Sequence, residues 1–147
     1  MNAIIAAPRA LGLMPIDHPP PGMFEAIFRA LETNSLSVIG PARIQLMAIP
    51  IHDDDGAVAG GFWGATIFQW LRIQLLIVPE ILRGQGAGTA LMRAAEAEAR
   101  ARGCLGAFVD VFNFQAVEFY QKLGYTQFGE LADFPPGHHQ IYLFKRF

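Results

Sequence analysis

The stretch Val78–Met92, VPEILRGQGAGTALM, decides how this chain is read. It joins an apolar run, Trp70–Val78, to an alanine-rich segment that continues to Arg102. A plain strand-to-helix connection manages with one glycine, yet Gly84, Gly86 and Gly88 alternate here behind Arg83. Glycine admits positive φ and lets a ligand come close to the backbone. The first turn of a helix offers unpaired N–H groups at the positive end of its dipole. Together these make an anion seat, and a guanidinium adds donors suited to phosphate oxygens. The stretch predicts a diphosphate cradle over Arg83, Gly84, Gln85, Gly86, Ala87, Gly88 and Thr89.

Two other phosphate loops fit worse. A Walker loop needs Gly-Lys-Ser/Thr, and Gly88 is followed by Thr89 with no lysine. The dinucleotide pattern G-x-G-x-x-G fails from Gly84, where its third glycine falls on Thr89, and fails again from Gly86. It would also open on a βαβ unit, whereas hairpins come first here.

Outward from the glycines, apolar periodicity sets the elements. On the N-terminal side, a helix is expected from Met23, closed by Thr33, Asn34 and Ser35. Strands follow at Arg43–Ile51, at about Ala57–Phe68 and at Trp70–Val78, with Asp53–Gly56 as a hairpin turn rather than a metal site. Pro50 puts the end of its strand at an edge or bulge. On the C-terminal side, a helix from Thr89 to Arg102 has a slim stripe, Leu91, Ala95 and Ala99, and (i, i+4) pairs Glu96–Arg100 and Glu98–Arg102. Then come a strand at 105–112, a helix at 114–123, and strands at Tyr125–Glu130 and Ile141–Phe147. Hairpins first and helical connections later indicate a mixed sheet in an α/β or α+β domain.

Composition bounds the function. The 147 residues suit one domain, 1–147, and 52% hydrophobic against 16% charged residues argues for a packed core. A net charge of −2 gives no case for nucleic acid. The single cysteine, Cys104, excludes a disulfide framework and a cysteine-rich metal site, so no metal is expected. The opening segment lacks a basic region before its apolar residues, and no apolar run reaches the roughly 18 residues of a membrane span. A soluble cytoplasmic protein is expected. A mean hydropathy of +0.29 fits either a dense core or a homodimer.

The motifs now carry a resemblance. Val78–Thr89 resembles the coenzyme A pyrophosphate loop of the GNAT superfamily of N-acetyltransferases, whose pattern Arg/Gln-x-x-Gly-x-Gly/Ala is filled by Arg83, Gly86 and Gly88. Phe119–Tyr125, FYQKLGY, is similar to that superfamily's other recurring segment, about 35 residues on and in the same order. More narrowly, the chain from Arg43 onward looks like a group of small bacterial acetyltransferases. The resemblance implies a mixed, mostly antiparallel sheet with helices on both faces and a splayed cofactor cleft. Acetyl-CoA would lie against Leu76, Ile77 and Val78, with a backbone N–H of that strand polarising the thioester carbonyl, and Asn113 would hold the pantetheine. Tyr120 would be the general acid for the leaving thiolate.

Each of these residues also has a structural reading. Asn113 would serve equally as a helix N-cap, and Tyr120 as a core side chain. An attacking amine needs a base, and Glu25, Glu80, His138 and His139 are weak candidates. Trp63 and Trp70 read as core, or as walls of an acceptor site. Cys104 reads as no nucleophile. The chain is expected to transfer acetyl from acetyl-CoA to a primary amine; the rival is a CoA-binding sensor without catalysis.

Overall fold

The computed structural model describes residues 13–147, so most of the opening segment lies outside it. The chain divides into two compact units at Pro41/Ala42. In the first, α1 spans Met23–Ile39. It runs past Thr33–Ser35, where the sequence predicts its end, because Thr33 Oγ1 bonds back to the Arg29 carbonyl at 2.9 Å instead of breaking the helix. Its end comes at Gly40.

The second unit is built on a six-stranded sheet. Its strands are β1 (Gln45–His52), β2 (Val58–Ile67), β3 (Trp70–Ile77), β4 (Gly106–Phe112), β5 (Thr126–Ala132) and β6 (His139–Arg146), in the spatial order β1-β2-β3-β4-β6-β5. Helix α2 (Ala87–Ala101) links β3 to β4, and the short α3 (Val117–Lys122) precedes β5. All strand pairs are antiparallel except β3–β4. The expected mixed sheet is found.

The turn before β2 is made by Asp53, whose Oδ1 accepts from the N–H groups of Asp55 (3.0 Å) and Ala57 (2.9 Å). Pro50 does lie on an edge strand, just before a register shift at Ile51/His52. In β4, Ala107 and Val109 are buried and belong to the core with Leu71 and Ile73 of β3 and Met92, Ala95 and Ala99 of α2. The small residues of α2 let it lie close on the sheet. Because strand side chains alternate, Phe108, Asp110 and Phe112 occupy the opposite face of β4.

Both tryptophans lie outside that core, against their reading as core residues. Trp63 is 41% exposed on the face away from Phe62, and Trp70 is half-buried beneath the Arg146 guanidinium at 5.5 Å.

Candidate functional site

The sheet opens where its parallel pair stops. β3 and β4 pair from Trp70–Gly106 to Ile73–Val109 and no further. Both strands continue, β3 to Ile77 and β4 to Phe112. On its other side β3 stays paired with β2, through Trp63–Leu75, Phe62–Leu76 and Gly61–Ile77. That pairing shifts between Trp63 and Gly64, so Gln74 is an extra residue that bends β3. The backbone of Leu75–Ile77 thus keeps one free edge, which can accept an extended ligand as an added strand. Val78, predicted to end this strand, lies just beyond it, and its carbonyl accepts from Arg83 Nε at 3.1 Å.

The glycines follow. Pro79 opens a single 3-10 turn, Glu80–Leu82, and the chain then reaches Gly84 and Gly86, with φ of 71° and 83°. Gly86 is the N-cap of α2 and has no side chain to satisfy the first turn. The first helical bond runs from the Ala90 N–H to the Gly86 carbonyl at 2.9 Å, leaving the N–H groups of Ala87, Gly88 and Thr89 ahead of it. No acidic residue stands in this turn. A Cβ placed on Gly84 or Gly86 would meet nothing within 4 Å, so the space beside both is open.

Gly88 has a different role. A Cβ there would stand 3.3 Å from the Phe119 ring and 3.6 Å from Val78 Cγ2. This glycine seats the start of α2 against α3 rather than facing open space. Gln85 turns its side-chain amide back to the Ile81 carbonyl at 2.9 Å, so it offers only its backbone to the cradle. Arg83 keeps its terminal guanidinium nitrogens while Nε braces the strand end. These residues fit a diphosphate: two open positive-φ glycines, a helix start without acids and a braced guanidinium.

Tyr120 stands in α3 and is 3% exposed. Its ring packs edge to face on Phe119 at 5.1 Å and on Tyr125 at 5.5 Å. Burial raises its pKa to about 12. The nearby polar side chains bond Tyr125 instead: its Oη donates to Glu96 at 3.0 Å. Among the described residues no fully buried side-chain oxygen lacks a partner. The Tyr120 hydroxyl, with no hydrogen-bond partner among the described residues, therefore reaches a surface.

Asn113 does not share a helical face with Tyr120, nor does it cap α3. The helix begins three residues later than expected, at Val117 with Ala116 as N-cap, because Gln115 Oε1 turns back to accept the Phe112 N–H at 2.9 Å. Asn113 ties the end of β4 to the start of β6 instead: its Oδ1 accepts the His139 N–H at 3.0 Å, and its own N–H donates to the His139 carbonyl at 2.9 Å. It lines an open depression of about 530 Å³ with Val117, Gln127 and Ile141.

The base candidates are scattered. His139 Nδ1 lies 3.4 Å from Glu130, His138 packs its ring on Phe114 at 4.8 Å, Glu80 sits in the 3-10 turn, and Glu25 is in the first turn of α1. Cys104 is buried, and burial pushes its thiol pKa up, the wrong direction for a nucleophile.

Glu96 is the centre of a buried polar cluster that its helix spacing alone does not reveal. Its carboxylate is 5% exposed and takes Lys145 Nζ (2.8 and 3.1 Å) and the Tyr125 hydroxyl, with Arg100 at 3.5 Å. The expected (i, i+4) pairs are both present, but Glu96–Arg100 is the weak edge of this buried group. The signal available was Glu96 falling beside the Ala95 stripe.

Known proteins agree with this geometry. The profile of the acetyltransferase (GNAT) family matches residues 18–125. The acetyltransferase Atu2258 of Agrobacterium fabrum is 41% identical over 123 residues, covering 84% of this chain and 90% of that protein. A blasticidin-S acetyltransferase of Streptomyces morookaense is 45% identical over 83 residues, 56% of this chain and 61% of its own length. A solved Agrobacterium tumefaciens protein described as an acetyltransferase superposes with a TM-score of 0.86 at 37% identity, covering 93% of this chain and all of that one. The open strand edge, the glycine cradle and these matches lead to one statement: the chain belongs to the GNAT acetyltransferase family and is an acyltransferase.

Proposed function

We propose that this chain moves an acetyl group from acetyl-CoA to a primary amine of a small molecule or peptide, by direct attack in a ternary complex. The observation that carries this reading is the parting of β3 from β4 after Ile73 and Val109, beside a helix start capped by Gly86. Arg83, Gly84 and Gly86, with the N–H groups of Ala87, Gly88 and Thr89, hold the pyrophosphate. The free edge at Leu76 and Ile77 pairs with the pantetheine, with Val78 against its side. The Asn113 amide group, whose oxygen is already taken by His139, has its nitrogen left to donate.

In this reading the amine nitrogen bonds to the thioester carbon, the carbon–sulfur bond breaks, and the sulfur leaves as a thiolate. Tyr120 faces that sulfur. A phenol at about 12 lies roughly three pK units above an ordinary thiol, so complete transfer of its proton is uphill. Tyr120 acts first as a hydrogen-bond donor to the developing charge. Burial of the thiolate raises its own affinity for the proton and narrows the gap.

The profile match spans the Pro41/Ala42 boundary, which supports reading both units as one acetyltransferase domain. The buried free cysteine fits a reducing, cytoplasmic setting. Leu46, Leu75 and Ile77, 61%, 65% and 55% exposed on the sheet face away from α2, favour a homodimer, which sedimentation would reveal. Among the described residues no helix is long and apolar enough to cross a membrane.

Thermal melting with acetyl-CoA, CoA, NAD and ATP in parallel tests the cofactor. A hundredfold excess over Kd should add about 2.7 kcal/mol of stability with acetyl-CoA and CoA alone. Gly86→Val should abolish that shift by putting a side chain into the open seat. A shift with NAD or ATP only would refute the reading. The name of the Streptomyces relative puts blasticidin S first among acceptors to screen.

A further inference from the structure

Beyond the splay, the sheet face away from α2 carries an aromatic group that the cofactor reading leaves unused. Phe112 ends β4 on that face. Its ring stacks on Phe114 at 5.3 Å and tilts against Phe134 at 6.0 Å, and Phe114 meets His138 edge to face at 4.8 Å. Phe114 and Phe134 are 59% and 48% exposed. Exposed ring faces gathered from the end of β4 and the β5–β6 loop are a surface for a ligand rather than part of the core.

The charge nearest these rings is a carboxylate. Asp110 shares the face with Phe112, two residues before it, and its only side-chain partner among the described residues is the neutral amide of Gln140. Gln140 is held in turn by the Tyr142 hydroxyl at 3.0 Å. Asp133 opens the β5–β6 loop that carries Phe134 and His138. The cations on this face, Arg72 opposite Phe108 and Arg146 opposite Gly106, stand toward its other end, away from Phe112.

The direction of approach follows from the fold. Helix α2 and its glycine cradle lie on the Ala107–Val109 side of β4, so the phosphates and the body of the coenzyme fill that side. An amine attacking at the parted strands must arrive from the other side, past Asp110 and Phe112. It must be neutral when it attacks, so its own charge cannot be what a carboxylate and ring faces hold. A second group that stays protonated can be, since cations are attracted to ring faces within about 6 Å and to a carboxylate without a charged partner.

We propose that Phe112, Phe114, Phe134 and His138 with Asp110 form the acceptor-recognition site, and that it selects small molecules bearing a second cationic group beside the amine to be acetylated. This rests on the acetyltransferase reading above. Acceptors with a carboxylate near the amine are repelled by Asp110.

The test is calorimetric titration of the CoA-saturated protein with 1,5-diaminopentane and with n-pentylamine, which lacks the second charge. The diamine should bind at least tenfold more tightly. Asp110→Asn should bring the ratio close to one, and Phe114→Ala and Phe134→Ala should each weaken the diamine about fivefold. All three positions are exposed, so the variants should fold and keep the thermal shift with acetyl-CoA. Equal binding of the two amines, binding of neither, or three variants without effect would overturn the proposal while the coenzyme reading stood. Absence of any stabilisation by CoA in the unaltered protein would overturn the coenzyme reading itself, and this proposal with it.

Discussion

Tyr120 and Tyr125 are each 3% exposed, and their rings meet edge to face at 5.5 Å. Their hydroxyls have opposite surroundings. Around Tyr125 the polar groups close on one another: the hydroxyl donates to Glu96, Lys145 completes the carboxylate and lies 5.7 Å from the Tyr125 ring centroid, and Arg100 approaches from α2. Among the described residues no side chain bonds the Tyr120 hydroxyl, and beside its neighbour Phe119 the start of α2 has no side-chain cap. A buried polar group is retained either because it is satisfied or because something outside the protein will satisfy it. The first case describes Tyr125 and the second Tyr120. The same aromatic pair therefore joins a part of the molecule built for stability to one built for chemistry.

Removing the centre of the closed side should have the largest effect. Glu96→Ala leaves Lys145 and the Tyr125 hydroxyl without their partner, and breaking a buried ion pair costs about 3–5 kcal/mol. Lys145 retains some solvent contact, so the lower end is expected. Denaturant unfolding would measure it, and a loss under 1 kcal/mol would show that the cluster is ornamental to the fold. On the open side, Tyr120→Phe should lower kcat about a hundredfold, equivalent to about 2.7 kcal/mol, the lower range for a positioned proton donor. Stability and acetyl-CoA affinity should hardly change. Unaltered kcat would return Tyr120 to the core. Tyr125→Phe should do the reverse: about 2 kcal/mol of stability lost, for a hydrogen bond to a charged group, with kcat within a few-fold. If both variants lose activity equally, the division between the two sides is wrong.

How far the sequence could anticipate this depended on distance along the chain. Gly84 and Gly86 sit next to the helix they begin, so their seat was legible from residues 83–89. Gly88 belongs to the same motif, yet its contact is Phe119, far along the chain, and no local pattern could show that it packs instead of opening. The pairs Glu96–Arg100 and Glu98–Arg102 were visible as helix spacing. The partner that matters more for Glu96, Lys145, lies 49 residues away. The strand edge is a matter of register, which apolar runs do not specify; only the resemblance pointed to it. Asn113 was misplaced because a turn held by the Gln115 side chain delays α3, a competition between side chain and helix that periodicity does not record.

The smallest expected effect is alkaline, and it isolates Tyr120 from its neighbour. Its folded pKa of about 12 lies above the ordinary 10.0, because burial disfavours the phenolate. A raised pKa means that the folded protein keeps a proton which the unfolded chain releases. The stabilisation is complete below pH 10 and is lost as pH rises through 10 toward 12. Between pH 9 and pH 11 the loss from this group is about 1.3 kcal/mol. Tyr125 shifts in the same direction, through burial and then through the Glu96 carboxylate, so the unaltered protein declines on both accounts. Tyr120→Phe removes one of them. Its stability should therefore fall less steeply over that range than that of the unaltered protein, as read by denaturant unfolding at pH 9, 10 and 11. Parallel curves would mean that the open side hydrates the Tyr120 hydroxyl well enough to ionise normally, and its role as a proton-holding donor at neutral pH would then need no help from burial. Diverging curves, with the unaltered protein falling faster, would mean that the ring's surroundings hold the proton in place, which is the condition for donating a hydrogen bond to a thiolate and not surrendering the proton to solvent.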